Sequence, residues 1–166
     1  MAMIDATGKP LVIRGARAFL LVVAVTWGLG TVQGSMHLAG GVSAGETVSD
    51  LRTDVVALAL RALLFAAALV SLSGINRRRA VGRWGTVGLA CVAVYLAAPA
   101  VALAWRAVWG DYAAPARYFA YSSTEDAVIG LLVAGSIICA IGVLIVQLTI
   151  GETAARFFRV PPPHTQ

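Results

Sequence analysis

Charge is the scarcest ingredient of this chain. Asp, Glu, Lys and Arg together make up 13% of its 166 residues, where a soluble domain carries roughly 25%. So few charges cannot cover a water-facing surface, which excludes an ordinary soluble domain. With 59% hydrophobic residues and a mean hydropathy of +0.82, the surface belongs in lipid. The length suits a single domain spanning residues 1–166.

Reactive side chains are equally sparse. Cys91 and Cys139 both lie inside apolar runs, and no CxxC or Cys/His spacing suggests zinc. They read as small packing residues. Thiols in hydrocarbon are poor nucleophiles, which argues against a disulfide between them. The two histidines, His37 and His164, lie far apart, and a haem or metal site needs a second strong ligand. No acid sits in the middle of an apolar run, which disfavours a proton relay or a cation-coupled carrier. Ser/His/Asp sets, paired carboxylates and Gly-rich phosphate loops are missing, so neither an enzyme nor a cofactor is indicated. The net charge of +5 would suggest nucleic acid only if it formed a stripe on a soluble face. Here it follows the apolar segments instead, and a nucleic-acid partner is rejected. No internal repeat is evident.

What the chain does have is long apolar runs, at 18–39, 55–75, 84–109 and 126–150. At 1.5 Å per residue these are about 32–39 Å long, enough to cross a hydrocarbon core of about 30 Å with some tilt. The expected fold class is all-α, an integral membrane bundle of four transmembrane helices. The first run follows basic residues, as a signal peptide does. It is longer than a signal core, carries Trp27 mid-run and lacks a clean cleavage site, so it reads as a retained helix. Gly40-Gly41 is its expected end. Trp84 and Trp109 frame the third run, and Pro99 predicts a kink in it. Tyr112, Tyr118, Phe119 and Tyr121 in the next connection suit the headgroup level. Ser122 with Glu125 and Ser123 with Asp126 have the spacing of a capping box before the fourth run, although the second has Asp where the box prefers Glu or Gln. Pro161-Pro162-Pro163 forbids helix in the tail.

The stretch 76–83 sets direction. Arg77, Arg78, Arg79 and Arg83 crowd into eight residues between the second and third runs, and short basic connections resist translocation. With that turn cytoplasmic, four spans put both termini inside (N-in/C-in). Lys9, Arg14, Arg17, Arg156 and Arg159 then fall on the same side, against only Asp5 and Glu152. The outer side holds Arg52, Arg61, Arg106 and Arg117 against Glu46, Asp50, Asp54, Asp111, Glu125 and Asp126. The Ala/Arg/Gly-rich composition fits a bacterial inner membrane.

Two groups of residues are candidates for function. Arg61 lies six residues inside the second run, about 9 Å below its outer end, where a charge is expensive. Its side chain is expected to lean outward and snorkel toward the headgroups, with Asp54 as helper. Arg106, near the outer end of the third run, has Glu125 and Asp126 as natural partners. The expectation is an outer polar cluster of Arg61, Arg106, Glu125 and Asp126, with His37 and Gln33 nearby; the plainer alternative is four separately solvated charges. The second group is small. Gly30-Thr31-Val32-Gln33-Gly34 is a GxxxG face, and Gly130, Ala134, Gly135, Ser136, Cys139, Ala140 and Gly142 make the fourth run similar. These two helices are the expected tightest contact, within a protomer or between protomers.

The preferred function is therefore non-enzymatic: an accessory, assembly or regulatory partner acting through helix packing, with another membrane protein or itself as a homo-oligomer. The alternative is a small carrier or binder of an amphipathic or anionic molecule at the outer face, using Arg61, Arg106 and Arg117. A lipid-modifying enzyme, with His37 and Glu125 as its only acid–base pair, comes third.

Overall fold

A computed structural model describes residues 10–43, 48–109 and 123–159, with only the backbone of 48–50. The described residues form five helices, in order α1 (Leu11–Ser43), α2 (Val48–Asn76), α3 (Ala80–Val108), α4 (Thr124–Ile150) and α5 (Glu152–Arg159). Among the described residues, α1 to α4 are long and apolar enough to cross a membrane. In hydrocarbon every backbone polar group needs an internal partner, and a helix supplies one within the segment. The chain is thus a multi-pass, all-α membrane protein.

Helix limits depart from the sequence expectation: α2 begins at Val48 and not at 55, taking in most of the expected connection, and α3 begins at Ala80 and not at 84. α1 has 33 residues, about 50 Å, so it overruns the hydrocarbon. It begins beside Pro10, whose carbonyl accepts from the Ile13 amide at 3.0 Å. Gly40 and Gly41 do not end it: both keep helical backbone, and the helix stops at Ser43, whose hydroxyl donates to the Gly40 carbonyl at 2.7 Å. A glycine ends a helix only where the chain turns left-handed, which it does not do here. A further departure is α5, an eight-residue helix in the tail before the prolines.

α3 runs unbroken through Pro99. α4 starts at Ser123, whose Oγ accepts from the Asp126 amide at 3.1 Å, with Glu125 and Asp126 in the first turn. Both the cap and the acids suit the positive end of the helix dipole. Ser122 and the aromatic connection lie outside the described residues.

Each helix packs mainly on its neighbour in sequence, α1 on α2, α2 on α3 and α3 on α4, while α1 meets α4 over only a short region. The expected tight contact between the first and fourth helices does not form within the protomer. Short connections make sequential helices antiparallel neighbours, and the glycine face of α1 is already filled by side chains of α2. The core gathers toward the end carrying the arginine turn. Ile13, Ala16 and Leu20 of α1, Ala68 and Ile75 of α2, Leu148 of α4 and Ala154 of α5 are all fully buried there.

Candidate functional site

The polar residues of α1 and α2 meet along one seam. On α1, Gly30, Gln33, Gly34 and His37 recur at helical spacing, and on α2 so do Asp54, Leu58, Arg61 and Phe65. Arg61 Nη1 donates to the Gly30 carbonyl at 3.1 Å. A Cβ added at Gly34 would lie 3.0 Å from Arg61 Nη1 and 3.3 Å from Leu58 Cδ1, and one at Gly30 would lie 3.6 Å from Arg61 Cδ. One turn along, a Cβ at Gly28 would sit 3.1 Å from the Phe65 ring. The GxxxG of α1 therefore makes room for the Arg61 side chain, and Gly28 beside it for the Phe65 ring; no backbone of a second helix lies within 4 Å of a Cβ added at these glycines. Arg61 goes sideways to α1. Asp54 is engaged by His37, with His37 Nδ1 3.6 Å from Asp54 Oδ2 and both side chains well exposed. Gln33 is exposed on the same stretch of α1.

Arg106, Glu125 and Asp126 lie at the same end of the bundle but on the α3–α4 side, all three exposed. Arg61's hydrogen bond joins it to the Gly30 carbonyl of α1. Arg117 and Glu46 lie outside the described residues. Gly135 and Gly142 of α4 are open, with nothing within 4 Å of a Cβ added at either. No residue in the most apolar stretch of α4 is buried, and the helix buries only Ala127 and Leu148, one near each end. Ser136 and Cys139 are exposed beside those glycines. Among the described residues no group of three His, Cys, Asp or Glu could hold a metal ion.

The arginine turn does more than mark a side. α2 ends in a Schellman motif: the Arg79 amide donates to the Gly74 carbonyl at 2.8 Å and the Arg78 amide to the Ile75 carbonyl at 3.1 Å. Arg78 takes the left-handed position that glycine usually fills, with φ of 53°. Its guanidinium lies 4.9 Å from the centre of the Phe157 ring on α5. Arg83 donates through Nε to the Leu148 carbonyl and through Nη2 to the Thr149 carbonyl, the latter at 2.7 Å. These are orphan carbonyls at the C-terminus of α4, where a cation also meets the negative end of the dipole. Arg17 of α1 donates to the Asn76 side chain.

Behind the turn, α2 and α3 touch backbone to backbone. A Cβ added at Gly74 would lie 2.5 Å from the Gly82 amide nitrogen, and one at Gly82 would collide with Gly74 and Ile75. One turn further, Gly85 faces Ser71, whose hydroxyl donates to the Ala67 carbonyl at 2.7 Å. The sequence reading overlooked this glycine seam because its members do not form a GxxxG within one helix. The signal was present as symmetry: Gly74 and Gly82 each stand four residues from Arg78, and Ser71 and Gly85 each stand seven. No family model, curated protein or solved structure matches this chain.

Proposed function

We propose that the protein is a non-enzymatic helix-packing partner in a bacterial inner membrane, with the arginine turn and both termini cytoplasmic. The observation that carries the reading is the open face of α4. Gly135, Cys139 and Gly142 stand at i, i+4 and i+7, and nothing approaches either glycine. Small residues on one stripe let a second backbone come close, where van der Waals packing drives association in lipid. The bundle leaves this face to the bilayer or to another transmembrane helix. Arg61, meanwhile, is engaged with α1, which weighs against its serving as the anion-binding group of a carrier.

Purification from native membranes in mild detergent tests the reading. The chain should come out with one defined partner in fixed ratio, either a second copy or a different membrane protein. Gly135→Leu and Gly142→Leu, which fill the open face, should each release that partner. An unaccompanied monomer, or a partner retained by both variants, rejects the packing role of this face.

A further inference from the structure

A cleft of about 630 Å³ separates α1 from α4 at the arginine end. That size falls within the roughly 300–1,000 Å³ of small-molecule sites. Leu11, Gly15 and Phe19 form one wall, Ala140 and Leu144 the other, with Gln147 and Thr153 toward the end of the helices. The cleft exists because α1 and α4 do not close the ring of helices there. A Cβ added at Gly15 would meet only Leu144 Cδ1, at 3.9 Å. Leu11, Ala140 and Val143 on its walls are exposed, so it opens sideways along the apolar flanks of two spans, toward acyl chains.

The lining of the cleft is itself uncharged; the charge lies beyond its mouth, on the end of the bundle where it opens. Among the described residues, this end of the bundle carries Arg14, Arg17, Arg77, Arg78, Arg79, Arg83, Arg156 and Arg159, against Glu152 alone. Several of these arginines also have partners within the protein, as described above, but the positive charge of the end stays. α5 adds a second marker of depth. Ala154, Phe157 and Phe158 turn into the core while Glu152, Arg156 and Arg159 stay exposed or partly so, with Arg156 and Glu152 paired at 3.1 Å. An amphipathic helix of this kind lies at the level of the headgroups.

We propose that this cleft holds one acyl chain of an anionic phospholipid, whose phosphate reaches out of it to the arginines at this end of the bundle. An apolar slot between transmembrane helices that opens toward an arginine-rich end of the bundle suits an acidic headgroup together with its chain. The proposal rests on the membrane reading and is independent of what meets the open face of α4.

The test uses the full chain in nanodiscs of equal phosphatidylglycerol and phosphatidylcholine, transferred to mild detergent, with retained lipid counted by native mass spectrometry. The expected result is one retained phosphatidylglycerol per protomer, in preference to phosphatidylcholine. Gly15→Leu and Ala140→Leu, which fill the slot from opposite walls, should each remove it with no change in thermal unfolding. Ala140 is exposed, so its variant keeps the test open if the glycine variant misfolds. Arg14→Gln should lower the preference about fivefold, the worth of one basic residue near an anionic surface. Equal retention of both lipids, or undiminished retention in Ala140→Leu, overturns the proposal. So does a cross-link between Leu11→Cys of one molecule and Ala140→Cys of another, because a second copy would then fill the slot.

Discussion

At the scale of single residues, the costly positions are occupied by arginine for different reasons. Arg78 sits where an L-residue strains, at roughly 1–2 kcal/mol, and recovers about 0.5–1 kcal/mol by stacking on Phe157. Arg78→Gly should therefore be close to neutral in equilibrium unfolding. Arg78→Ala keeps the strain and loses the ring, and should be less stable than the glycine variant by about 1 kcal/mol. The reverse order would remove the strain from the account. Arg61 tests a different idea, that the glycines of α1 exist to admit it. Gly34→Leu should cost about 1–3 kcal/mol through overpacking against Arg61 and Leu58. In the double variant with Arg61→Ala, much of that loss should return, so the two substitutions are non-additive. Simple addition in the cycle would mean that Gly34 and Arg61 do not share their space.

At the scale of elements, the helices divide into a locked hairpin and an open rod. Gly74→Ala and Gly82→Ala each place a methyl against backbone, which cannot rotate away. Each should destabilise by about 1–3 kcal/mol in reversible unfolding in mixed micelles. Gly135→Ala meets empty space and should change the isolated protomer by less than about 0.5 kcal/mol. Equal effects at the two sets would contradict the backbone contact behind the turn. The contrast also explains the limits of reading the chain. A GxxxG is visible because its residues share one helix, so Gly30 and Gly34 stood out. Gly74, Gly82 and Gly85 matter only once a three-residue turn folds one helix onto the next. α5 was hidden for a similar reason: eight residues shortly before a run of prolines look like tail until Phe157 and Phe158 find the core.

At the scale of the whole molecule, the proposed orientation is open to a direct measurement. In a background of Cys91→Ser and Cys139→Ser, a membrane-impermeant maleimide should label Arg78→Cys in inverted vesicles and not from outside intact cells. Labelling from outside would invert the map and move the lipid-bearing cleft to the other leaflet. The sequence alone determined that four helices cross a bilayer and where the positive charge gathers, because hydrophobic length and charge are sums over local composition. It also singled out Arg61, because a guanidinium inside an apolar run is expensive wherever the run packs. Tertiary structure decided what those residues touch: that Arg61 lies on Gly30, that Arg83 caps α4, and that α1 and α4 part around a cleft. Such pairings join residues on different helices, and only the packed bundle decides which faces meet.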